Sequence, residues 1–143
     1  MRTLAHFYFA AGFAALAGCA QMGIQTPPPH TLPVNCKAGD CTVTVTVTGC
    51  GRNQYRVDRE PLVVDRQYNG PIHWDLATSG YSFAANGIDI KQGNDAEFDG
   101  KDHKPKKFKW NNKHSNYKTY KYDINLVRDG QTGVCTYDPS IMN

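Results

Sequence analysis

From Cys41 to Thr48 the chain reads CTVTVTVT. Strict two-residue alternation sends Val43, Val45 and Val47 to one face and the threonines to the other, which is the pattern of a half-buried strand. Similar patterns recur along the chain. Tyr55-Arg56-Val57-Asp58 and Leu62-Val63-Val64 read as short strands, and Glu60-Pro61 between them argues against one continuous central strand. Ile72 to Leu76 alternates again, with Ile72, Trp74 and Leu76 inward and His73 and Asp75 outward. Tyr81-Ser82-Phe83 and Ile88-Asp89-Ile90 are divided by Asn86-Gly87, a pair suited to tight turns. Phe108-Lys109-Trp110 and Tyr120 to Leu126 repeat the pattern across a polar loop, and Asp129-Gly130 turns the chain into Val134 to Tyr137. With no helical period between them and no internal repeat, these segments predict an all-β fold, an antiparallel β-sandwich of Greek-key type. Composition agrees: 40% apolar and 20% charged residues exclude a disordered or coiled-coil chain, and 8 Tyr, 6 Phe and 2 Trp favour strands.

The N-terminus has a different character. Met1-Arg2-Thr3 is followed by an apolar stretch from Leu4 to Ala17, broken only by His6, and then by Leu16-Ala17-Gly18-Cys19. That stretch is short for a permanent membrane span. Leu-Ala-Gly-Cys resembles the lipobox of bacterial lipoproteins. The resemblance implies a signal peptide over residues 1–18, cut before Cys19, which receives a diacylglycerol and an N-acyl chain. Such acylation exceeds the two-signal threshold for stable anchoring, so a membrane is an expected partner without being spanned. In that family an Asp after the cysteine commonly retains the protein in the inner membrane; here the position is Ala20, which implies outer-membrane sorting with the domain facing the periplasm. From Ala20 to Asn35 the chain reads AQMGIQTPPPHTLPVN, a proline-rich spacer. Residues 19–35 are thus expected to be anchor and tether, and residues 36–143 one β-sandwich domain, a length of about 110 residues that suits a single core.

Setting Cys19 aside leaves Cys36, Cys41, Cys50 and Cys135. An even number in an exported domain reads as two disulfides, with three pairings open. The turn-like Lys37-Ala38-Gly39-Asp40 favours Cys36 with Cys41, which leaves Cys50 with Cys135. Intervening lengths of four, eight and 84 residues do not match paired zinc knuckles. In general form the pattern resembles a cupredoxin-like or immunoglobulin-like sandwich. The copper motif is missing: Cys135 and Met142 are present, but no histidine follows His114. Asp95-x-Glu97-x-Asp99-Gly100 mimics the first half of a calcium-binding loop, yet Lys106 stands where the twelfth-position Glu is needed, and the segment from Gly93 to Asp102 is read as a solvated acidic loop. No metal or other cofactor is expected.

Charge is unevenly distributed. Lys101 to Lys121 holds eight lysines and one acid, Asp102, interleaved with Phe108, Trp110, Tyr117, Tyr120 and Tyr122. Such a stretch can read as stacking residues in a positive groove. An exported location argues against nucleic acid and favours lipopolysaccharide, peptidoglycan or an acidic protein face. The candidate anion-binding residues are Lys104, Lys106, Lys107, Lys109 and Lys113. Parity offers a plainer account, in which Phe108, Trp110, Tyr120 and Tyr122 enter the core while Lys107, Lys109 and Lys121 form a solvated face that guards a sheet edge. No serine elbow, zinc-protease helix or phosphate-binding glycine loop is present, and His73, Asp75, His103 and His114 form no catalytic motif. The expectation is a non-enzymatic, lipid-anchored binding module that takes an anionic envelope component through a basic hairpin at 101–121. The alternative is a structural or protein-interaction lipoprotein using another face.

Overall fold

A computed structural model describes residues 32–91 and 97–143. The lipobox and Cys19 lie outside the described residues, as does Asp95. Ten strands follow one another: β1 (Thr42–Val47), β2 (Tyr55–Val57), β3 (Leu62–Val63), β4 (Gly70–Leu76), β5 (Tyr81–Ile90), β6 (Phe98–Lys104), β7 (Lys107–Asn112), β8 (Thr119–Arg128), β9 (Val134–Tyr137) and β10 (Ser140–Met142). They form two sheets. One has the order β2-β1-β4-β7-β6; the other has the order β3-β10-β8-β5, with β9 also paired to β8. Most pairings are antiparallel, as expected, but β1 lies parallel to β4 and β10 parallel to β3. Local alternation specifies which face a strand buries and says nothing of which strand lies beside it.

The core forms where the apolar faces of the two sheets meet. Val43, Val45 and Val47 are buried, while Thr42, Thr44 and Thr46 face outward, so the alternation of β1 is realised residue by residue. Ile72, Trp74 and Phe108 extend that surface, opposed by Tyr122, Ile124 and Leu126 of β8. Aromatic contacts cross the interface edge-on, with Trp74 and Tyr122 ring centroids 5.6 Å apart and those of Phe83 and Phe108 5.8 Å apart. Burial pushes the Tyr122 phenol well above its ordinary range, opposed by its contact with Trp74.

Two disulfides staple the sandwich. Cys36 pairs with Cys41 around the Lys37–Asp40 turn, and Cys50 pairs with Cys135, tying the β1–β2 loop of one sheet to β9 of the other. Asn35, expected in the tether, already belongs to the domain: its Nδ2 donates to Pro61 O at 3.0 Å, and Val63 N donates to its Oδ1 at 2.8 Å.

Three local expectations are corrected. Asn86-Gly87 is not a turn between two strands; β5 runs unbroken from Tyr81 to Ile90, with a register shift between Phe83 and Ile88. Gly87 is needed there for close approach, since a Cβ would stand 2.7 Å from Phe83 Cβ and 3.0 Å from Phe108 Cδ2. Residues 98–102 are not loop but the start of β6, which bulges between Asp99 and Asp102 around Gly100 at φ +62°. Finally, 101–121 is not one hairpin. The hairpin is β6–β7, with Pro105-Lys106 at its tip, and after Asn112 the chain crosses to β8 in the other sheet.

Candidate functional site

The outer face of the first sheet is laid out by its register. Thr42, His73, Lys109 and Asp102 follow one another across β1, β4, β7 and β6, and the next rung is Thr44, Asp75, Lys107 and Lys104. Lys104, Lys107 and Lys109 therefore converge, with His73 and Asp102, around a shallow cavity of about 230 Å³ floored by Phe108. Two carboxylates temper this charge. Lys107 Nζ stands 3.5 Å from Asp75 Oδ2, and Asp102 pairs in register with Lys109.

The other two candidate lysines are not part of this group. Lys106, at the hairpin tip, turns its ammonium back to donate to Thr78 O at 2.6 Å and to Tyr81 O. Beside those contacts the hairpin backbone closes on both sheets, with Leu76 N donating to Lys106 O and Phe83 N to Pro105 O. Lys113 lies just beyond the far end of β7, with its Nζ 3.1 Å from Asp99 Oδ2. That ammonium and a hydrogen bond from Asn111 hold the Asp99 carboxyl below the usual carboxylate range.

Nor do the aromatic residues form a stacking groove among the lysines. Phe108, Tyr120 and Tyr122 are buried. Trp110, expected in the core, is only partly buried against it and donates its indole N–H to Ile88 O at 3.0 Å. Tyr117 is exposed, but Arg66 covers its ring at 5.1 Å and His114 meets it edge-on. His103 Nε2 lies 3.1 Å from Phe83 O, and His114 Nδ1 lies 3.1 Å from Tyr68 O. Trp110, His103 and Lys106 thus each engage a carbonyl of β5, those of Ile88, Phe83 and Tyr81. Among the described residues no three His, Cys, Asp or Glu side chains are placed to hold a metal ion.

Glu97 also departs from expectation, being 2% exposed and not solvated. Its Oε1 accepts from Ser115 N at 2.8 Å and Asn143 Nδ2 at 3.0 Å; its Oε2 accepts from Asn116 Nδ2 at 2.9 Å and from Ser115 Oγ. Asn112 Nδ2 donates to Asn143 Oδ1 at 2.8 Å, which completes a buried network. The carboxylate thus holds the crossing after β7 against residue 143, a structural role consistent with the rule that buried charge is kept where hydrogen bonds satisfy it.

A second concave region, unmarked by sequence pattern, lies at the opposite edge of the first sheet. Two clefts share Tyr55. One, of about 520 Å³, is lined by Thr46, Thr48, Asn53, Gln54 and Arg56; the other, of about 390 Å³, by Cys50, Arg52, Thr136, Tyr137 and Asp138. Tyr55 rests on Tyr137 with centroids 4.1 Å apart. No protein-family model matches the chain and no curated protein matches it.

Proposed function

We propose that the chain is an envelope lipoprotein, held in the outer membrane by acyl chains on Cys19, whose sandwich is a non-catalytic module binding an anionic envelope polymer. The observation that supports this most directly is the juxtaposition of Lys104, Lys107 and Lys109 around one cavity on the outer face of the first sheet. The anchor rests on the lipobox resemblance of Leu16-Ala17-Gly18-Cys19. Because Asp75 and Asp102 stand among the lysines, affinity comes from several weak contacts along a polymer and not from one deep pocket. Exposed charges of this kind are screened beyond about 8 Å at physiological ionic strength, so binding falls steeply with salt.

Capture of the detergent-solubilised full-length protein on immobilised lipopolysaccharide tests the polymer reading. The expected result is salt-sensitive capture that Lys107→Gln with Lys109→Gln weakens while the melting temperature holds. Capture insensitive to salt, or unchanged in the double variant, overturns it. For the anchor, Cys19→Ser is expected to abolish incorporation of labelled acyl chains, and continued labelling refutes the lipobox reading.

A further inference from the structure

We infer that the paired clefts around Tyr55 form a second binding site, for an acidic oligosaccharide whose sugar ring packs on Tyr55 and whose carboxylates are received by Arg52 in one cleft and Arg56 in the other. Small-ligand clefts measure about 300–1,000 Å³, and the two clefts at Tyr55, of about 520 and 390 Å³, lie in that range, whereas the lysine cavity, at about 230 Å³, does not.

The cations differ as well. Arg52 lines one cleft and Arg56 the other, both are exposed, and among the described residues neither makes an ion pair. A guanidinium offers a planar fork of donors that matches a carboxylate in two-point contact, which an ammonium cannot do. Asn53 and Gln54 in one cleft, and Thr136 in the other, add neutral donors and acceptors suited to hydroxyl groups, and the carboxylate of Asp138 adds an acceptor for sugar hydroxyls beside Arg52. Tyr55 is only partly buried and supplies a flat apolar surface at the junction, with its ring backed by Tyr137.

The region is also rigid before any ligand arrives. Thr48 N donates to Gln54 O at 2.7 Å, Gln54 N to Gly51 O at 2.9 Å, and Gly51 N to Gln54 Oε1 at 2.9 Å. The Tyr137 hydroxyl donates to Gly49 O, and the Cys50–Cys135 disulfide fastens the loop to β9. Such preorganisation reduces the ordering cost of binding.

Titration of the full-length protein with tetragalacturonate, and with maltotetraose as its uncharged counterpart, tests the assignment. Saturable binding of tetragalacturonate is expected with a dissociation constant on the order of 1 mM, at least about tenfold tighter than maltotetraose. Arg52→Ala and Arg56→Ala should each weaken it by about tenfold, the usual worth of one charged hydrogen-bonding group. Tyr55→Leu, which keeps apolar bulk against Tyr137, should lose affinity with its melting temperature retained, whereas Lys107→Gln with Lys109→Gln should change nothing. Absence of saturable binding, equal affinity for maltotetraose, or indifference to both arginine variants overturns the inference. The two sites fail separately: lipopolysaccharide capture that is lost in the arginine variants and kept in the lysine variants removes the lysine site and leaves this one standing.

Discussion

The first sheet carries cations at both of its edges, and they are used differently. At the β6–β7 edge Lys106 binds backbone carbonyls, Lys107 and Lys113 face carboxylates, and only part of the lysine charge remains available to a ligand. At the β2 edge, about 19 Å away across five strands, Arg52 and Arg56 make no ion pair among the described residues, and they stand on the disulfide-fastened β1–β2 loop and on β2 itself. A run of like charges in sequence is therefore a poor measure of charge on offer, since the fold supplies counter-groups from elsewhere. Two isolated arginines, one on a fastened loop and one on the strand that follows it, can present more usable charge than a dense lysine tract.

Removing the staple at the β2 edge should break this contrast with the largest effect. Cys50→Ser with Cys135→Ser opens a loop spanning a sequence separation of 85 and is expected to cost about 4–5 kcal/mol, whereas Cys36→Ser with Cys41→Ser, at a separation of 5, should cost about 2 kcal/mol. Thermal unfolding of the two double variants measures the difference; equal losses would mean that the long bridge does not hold the β2 edge to the second sheet.

Within the lysine tract the contrast can be sharpened. Lys106→Ala removes two hydrogen bonds that join the hairpin tip to the turn between β4 and β5, and should cost about 1–2 kcal/mol. Lys107→Gln, on the exposed outer face, should shift stability by less than about 0.5 kcal/mol. Chemical denaturation of both variants decides whether Lys106 is a structural residue.

The smallest expected effect lies beside Asp138. Burial raises the Glu60 carboxyl above its ordinary range, against hydrogen bonds from Ser140 and the field of Lys121, and Asp138 adds to the rise. Protonation is therefore favoured in the folded state. The stability this contributes is fully present below the unfolded carboxylate's pKa and is lost as pH rises through the folded value. Glu60→Gln keeps an acceptor for Ser140 and should be more stable than the parent at pH 7 by a fraction of a kcal/mol, since solvent screens a group this exposed; the difference should vanish by about pH 4. A gap that widens in acid would reverse the assigned sign.

How much of this was legible in the sequence follows from the range of the interactions. The valine face of β1, the inward Ile72, Trp74 and Leu76, and the favoured cysteine pairing all rest on local alternation or a local turn, and all appear in the structure. β6 was illegible because, as an edge strand, it buries Phe98 alone, and its remaining residues lack an apolar rhythm. The fate of Lys106 and Lys107 was hidden for a related reason: their partners, Thr78, Tyr81 and Asp75, stand 25 to 32 positions earlier in the chain and are brought close only by the β4–β7 ladder. The clefts at Tyr55 combine residues from β1, β2 and β9, which no motif spans.

The parallel pairing of β1 with β4 has a mechanical consequence. Both strands begin at the end of the sandwich where Asn35 enters, and the rung bearing Lys104 and Lys107 lies towards the other end, beside the hairpin tip. Tension between the N-terminal side and a polymer held on those lysines would run along the strands and cross the β1–β4 and β4–β7 ladders in shear, so their rungs would resist together instead of opening one by one. The Cys36–Cys41 bridge would carry that tension straight into β1 and leave the turn between the two cysteines slack. Forced unfolding is governed by the rate of escape from the native state, and a domain loaded in this direction should outlast the same domain peeled from the β2 edge.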